Sequence, residues 1–187
     1  LNCRDAEQYY DEINYEAKNV GCHDFRPIMT IQIREDTTPQ MIRDARKSIC
    51  PIFAGKLYPK GVTTNSGEGV RDFEKLYPVF GAMEETGMML LAHAEDPDES
   101  VPPELKEVKF LPKIVAWAEK FPGMKIVVEH ISTKDGAGCV ESLGPNVWGG
   151  VTGHHPVILR EDADRDPHNF CAPIAKTSAD REAIRRA

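Results

Sequence analysis

The chain has 187 residues, of which 41% are hydrophobic and 28% charged, and its net charge is −7. That length supports a real hydrophobic core. The acidic balance, with no basic stripe, argues against a nucleic-acid binder, and no apolar run approaches the ~20 residues of a membrane span.

The first ten residues, LNCRDAEQYY, lack the apolar segment of a signal peptide. They do not begin with Met, so the expectation is a processed chain or a piece of a longer one. The five cysteines, Cys3, Cys22, Cys50, Cys139 and Cys171, are odd in number and scattered, with no C-x-x-C pair. That usage fits free thiols in a reducing compartment, hence a cytoplasmic setting.

In chain order, residues 3–19 read as a helix, with Ala6, Tyr9, Tyr10, Ile13 and Ala17 at helical spacing and Gly21 as a stop. PIMTIQI, 27–33, alternates like a strand. Thr38-Pro39 opens a helix, with Met41, Ile42, Ala45 and Ile49 as its apolar positions. Residues 51–58 form a strand with Lys56 inside it, followed by a Pro, Gly and Thr-rich loop through Gly69. Asp72 begins a helix that turns Phe73, Leu76, Tyr77, Phe80 and Met83 inward and ends at Gly87.

Strands follow at 88–93 and 124–131. Between them lies a helix over 104–121, with Leu105, Val108, Leu111, Val115 and Ala118 on its face. A helix near 134–143, a strand at 147–152, a short strand candidate at 169–174 and a final helix capped by Ser178 complete the chain. Strand and helix alternate throughout, which indicates βαβ units, right-handed crossovers and a parallel sheet. A closed (β/α)8 barrel needs about 250 residues. The expected fold is therefore α/β, of the TIM-barrel type but incomplete. About five to six βα units fill a single partial domain over 1–187.

The polar residues cluster where α/β folds place their sites, at strand carboxyl ends. Lys56, His93 and His130 each end a strand-like run, and they stand 37 positions apart, twice. A lysine in an apolar strand is costly in its charged form, and burial lowers its pKa. A neutral amine can add carbon dioxide to give a carbamate, an anionic oxygen ligand able to bridge two metals. Imidazole is a common zinc ligand. Two metals ~3.5–4 Å apart hold a hydroxide nucleophile and polarise a carbonyl. The bland alternatives stand beside this: strand-end histidines held by structural hydrogen bonds, and a lysine that snorkels to the surface. His23 and His168 lie in turn-like stretches and read as structural or surface residues.

KLYPKGVTTNSGEGV, LLAHAE, VEHISTKDG, GHHPVIL and DPHNFCAPI together resemble class II dihydroorotase, the shorter type within the amidohydrolase superfamily. The resemblance runs across nearly all of the chain. It implies two zinc ions bridged by a carboxylated Lys56, with His93 and His130 as metal ligands and Lys56 as the catalytic-site lysine. It implies Thr63 and Thr64 on the substrate side, and Ala172 touching the pyrimidine ring through its backbone, where the family often has Leu. His154 and His155 are taken as packing or supporting residues.

The implied reaction is the reversible cyclisation of N-carbamoyl-L-aspartate to L-dihydroorotate in pyrimidine biosynthesis. The implied partners are that small-molecule substrate and a second copy of the chain. The family's H-x-H motif and catalytic aspartate do not occur in these residues. The chain alone is therefore expected to be inactive. The alternative is a catalytically degenerate scaffold subunit of a larger assembly. A third reading, another cyclic amide as substrate, is disfavoured by the Thr63-Thr64 block.

Overall fold

The computed structural model describes residues 3–64 and 66–187. Five parallel strands are joined in sequence order: β1 (Met29–Ile33), β2 (Ile52–Leu57), β3 (Met89–His93), β4 (Ile126–Glu129) and β5 (Val147–Gly149). Each neighbour pair is parallel. Parallel strands need crossovers, and helices supply them. They are α2 (Pro39–Arg46), α3 (Tyr77–Thr86), α4 (Lys106–Lys120) and α5 (Lys134–Ser142), with α1 (Cys3–Asn19) before the sheet and α6 (Arg160–Arg165) and α7 (Ser178–Arg186) after it.

The sheet turns one face to the helices. Ile31, Ile33, Leu57, Leu90, Ala92, Ile126 and Val128 are buried there with Phe80, Phe110, Ile114 and Trp117 from α3 and α4. Aromatic edges fill the space between the two helices: Phe80 and Trp117 lie 5.1 Å apart, Phe73 and Phe110 5.3 Å. β2 can press this close because Gly55 has no side chain. A Cβ there would meet Ile33 Cδ1 at 2.5 Å.

The helix ends follow local chemistry. The Thr38 hydroxyl accepts from Met41 N to cap α2. Gly87, at φ 67°, closes α3 in the left-handed conformation that glycine adopts freely. The helix expected from Asp72 is split: Asp72 caps a 3-10 turn over Phe73–Leu76, which runs directly into α3.

Four expectations are corrected. Residues 169–174 form no strand: a 3-10 turn covers Pro167–Asn169 and the chain beyond it is irregular up to α7. Pro173 cannot donate to a ladder, and its segment is held through side chains instead. Thr177, not Ser178, caps α7, in a reciprocal capping box with Asp180. Ile49 lies beyond the end of α2 and is exposed, and Leu105 stands at the exposed entrance of α4. The inward stripe of α4 is Glu107, Phe110, Leu111, Ile114, Trp117 and Ala118.

Candidate active site

The strands deliver their polar residues to one end of the sheet. Lys56 is the penultimate residue of β2, His93 the last of β3, and His130 the first after β4. On the sheet face opposite the helices, Thr30, Lys56, Leu91 and Glu129 line a cavity of about 470 Å³ with Tyr58, Thr63, His93, His130 and Ala172. The three residues come from adjacent strands but from different levels. Lys56 pairs in register with Leu91, two residues before His93, and His93 pairs with Glu129, one residue before His130, so the equal 37-residue spacing does not mark equivalent positions.

The His93 and His130 rings meet edge to face with centroids 4.5 Å apart. Lys56 forms an ion pair with Glu129 and lies over the Tyr58 ring, 4.8 Å from its centroid. Burial lowers the Lys56 pKa, and Glu129 opposes that by favouring the charged form. Burial, with Glu129 behind it, raises that of Tyr58.

His93 is buried and its Nε2 lies 2.7 Å from the Glu95 carboxylate. A carboxylate only accepts, so Nε2 carries the proton and Nδ1 keeps its lone pair. His130 has φ 45°, left-handed for a residue with a side chain. Its Nδ1 is buried with no hydrogen-bond partner. Burial first, then the neighbouring His93 and Lys56, push its pKa down to about 3, so the ring is neutral and able to ligate.

The loop that brings Thr63 to the cavity is stapled to itself. Ser66 Oγ accepts from Thr63 N and donates to Thr63 O, and Pro59 bridges Val70. Thr64 is exposed and is not among the lining residues. Ala172 is anchored from behind. His155 Nε2 donates to Pro173 O at 3.0 Å, and Nδ1 accepts from the Thr152 hydroxyl at 2.7 Å. Burial pushes the His155 pKa down to about 4, which fits this neutral tautomer. His155 thus holds the Ala172–Pro173 segment from outside the cavity, and the His154 ring packs against the His155 ring with centroids 4.0 Å apart.

Among the described residues, no group of three or more His, Cys, Asp or Glu is poised to hold a metal. The chemistry of the donor set explains why. Two imidazoles converge with an amine, and the amine becomes a ligand only as a carbamate. With that conversion, Lys56, His93 and His130 fit zinc, and the orphaned His130 nitrogen fits an imidazole still to be engaged.

Sequence reasoning missed Tyr58, Glu95, Glu107 and Glu129. The signal for Glu107 was present: it falls in helical phase with Phe110, Leu111 and Ile114.

No family model matches the chain. It is 42% identical over 160 residues to a probable dihydroorotase of Schizosaccharomyces pombe, covering 84% of this chain and 46% of that protein. It is 40% identical over 183 residues to a dihydroorotase of Aliivibrio fischeri, covering 96% and 52%. The chain is a homologue of the dihydroorotases. Solved structures agree. A dihydroorotase from Saccharomyces cerevisiae, in complex with 5-fluoroorotic acid, superposes with a TM-score of 0.88 at 28% identity, over 98% of this chain and 53% of that one. The Campylobacter jejuni dihydroorotase gives 0.87 at 33%, over 100% and 53%. A D-hydantoinase shares the fold, with a TM-score of 0.68 at 17% identity. The chain spans about half the length of the dihydroorotases it matches, and its five-stranded sheet is consistent with part of a dihydroorotase barrel.

Proposed function

We propose that this chain supplies one part of a dihydroorotase active site, for the reversible cyclisation of N-carbamoyl-L-aspartate to L-dihydroorotate. One observation carries the reading: Lys56, Thr63, His93, His130 and Ala172, drawn from four separate stretches of sequence, line one cavity.

In this reading Lys56, as its carbamate, and His93 and His130 would supply part of the ligand set of two zinc ions. Zinc, when bound, supplies Lewis acidity toward the ring carbonyl and lowers the pKa of water. The chain's own residues do the rest. Burial of Lys56 favours the neutral amine that carbon dioxide requires. Glu95 fixes the His93 ring so that Nδ1 is the free donor. Thr63 and Thr64 belong to the substrate-side loop, and the Ala172 backbone faces the pyrimidine ring. Tyr58 walls the cavity beside Lys56. A homodimer and a cytoplasmic setting follow from the family resemblance and form part of the same proposal.

The test is a paired assay of the natural protein with dihydroorotate and with hydantoin. Turnover of dihydroorotate, lost on Lys56→Ala, is the expected outcome. Preference for hydantoin would overturn the substrate. Absence of turnover on either, with no zinc bound, would favour the scaffold reading.

A further inference from the structure

Glu107 is a carboxylate in the first turn of α4, 2% exposed and packed into the interior. It accepts four hydrogen bonds, two on each oxygen. Oε2 takes Ser132 N at 2.8 Å and Ser132 Oγ at 2.5 Å; Oε1 takes Thr133 N at 3.0 Å and Thr133 Oγ1 at 2.5 Å. Helices in βαβ units run against their strands, so the start of α4 lies at the strand ends where the cavity opens. Thr133 in turn caps α5, accepting from Gly136 N at 2.9 Å. Gly136 itself leaves the room: a Cβ there would meet Glu107 Oε1 at 2.3 Å.

The segment that Glu107 grips begins two residues after His130. A left-handed residue with a side chain persists where its surroundings over-determine it. Here there are two anchors. Ile131 N donates to Gly150 O at 2.9 Å, tying the turn to the end of β5. Glu107 ties the next two residues to α4. Buried Lys176 adds positive potential near the same carboxylate.

We propose that Glu107 is a positioning residue for the candidate metal site: by clamping Ser132 and Thr133 it fixes the turn that aims His130 into the cavity. The inference rests on the reading of His130 as a zinc ligand.

Glu107→Gln is the informative change. An amide presents one oxygen and one NH2. The hydroxyls of Ser132 and Thr133 can rotate to accept, but a backbone N–H cannot. One of the two N–H groups must lose its acceptor, and the turn loosens on that side. The measurement is zinc affinity of the metal-free natural protein, by competition with a chromophoric chelator. Val79→Ala, a core truncation on α3, serves as the stability control. Glu107→Gln is expected to weaken zinc binding on the order of tenfold, the low end for residues that orient a ligand from behind, while Val79→Ala stays within about twofold. Equal affinity in wild type and Glu107→Gln overturns the proposal, as does an equal loss in Val79→Ala, which would make the role merely structural. A wild-type protein that takes up no zinc overturns the metal reading itself, and this inference with it. Should Glu107→Gln fail to fold, Ser132→Ala removes one of the four bonds and carries the test: a loss of about threefold supports the clamp, and unchanged affinity sinks it.

Discussion

Lys56 on β2 and Glu129 on β4 form an ion pair across the intervening strand β3, at a separation of 73 residues. Leu91 of β3 is the register partner of Lys56, and His93 pairs with Glu129. Parallel register thus sets the amine and the carboxylate within reach of each other beside His93. Breaking such a pair on one side leaves an uncompensated charge in a half-buried place. Glu129→Gln is therefore predicted to shift Lys56 further toward its neutral form, because Glu129 is what favours its charge. Reductive methylation or acylation of Lys56, followed by peptide mass mapping, would run faster in the variant; an unchanged rate would show that the pair has no hold on the amine.

Acid should weaken the metal-free protein through its neutral histidines. His130 has its pKa pushed down to about 3 and His155 to about 4, against an ordinary value near 6.5. A base with a lowered folded pKa contributes stability that is present above pH 6.5 and lost as pH falls toward the folded value. In that window the unfolded chain binds a proton that the folded chain refuses. Each such histidine adds a slope of up to about 1.4 kcal/mol per pH unit. His155→Gln is predicted to be less stable at neutral pH, having lost the ring nitrogen that accepts from the Thr152 hydroxyl, yet to show a flatter decline between about pH 6.5 and 4. Urea unfolding across that range checks it, and a parallel decline in both proteins would refute it.

The cap of α7 offers a clean pair of variants. Thr177→Ala should cost about 1 kcal/mol, because it removes the acceptor for Asp180 N. Ser178→Ala should stay within about 0.5 kcal/mol, as surface changes away from special features do. Thermal or denaturant unfolding distinguishes the two, and a larger loss from Ser178→Ala would contradict the observed capping box.

Gly55→Ala should destabilise by about 1–3 kcal/mol, the usual range for overpacking a filled core. The new methyl group would collide with Ile33 on β1 and press on Met83 of α3. Equilibrium unfolding measures it. A neutral result would mean that β1 and β2 have slack where the structure shows none.

Much of this was legible in the chain's own pattern. The alternation of strand and helix, the Thr38 and Gly87 signals, and the polar Lys56, His93 and His130 near the ends of apolar runs all reflect local rules, which a sequence displays directly. What stayed hidden was pairing at long range. Glu129 and Glu107 look like solvated charges until the fold shows what faces them. Glu107 sits in the apolar stripe of α4 because Ser132 and Thr133, on the far side of β4, supply its hydrogen bonds. The strand expected at 169–174 failed for a related reason. Ile174 and Ala175 are buried as a strand's would be, but Pro173 lacks an N–H and His155 holds the segment by its carbonyl.

The central claim is that Lys56, His93 and His130 gather to bind metal. The most direct measurement is zinc content per chain of the natural protein, with Lys56→Ala measured alongside. The account predicts about two zinc ions per chain, the number of a two-metal site, and a marked loss in the variant. Zinc absent from the wild type, or retained in full without Lys56, would contradict it.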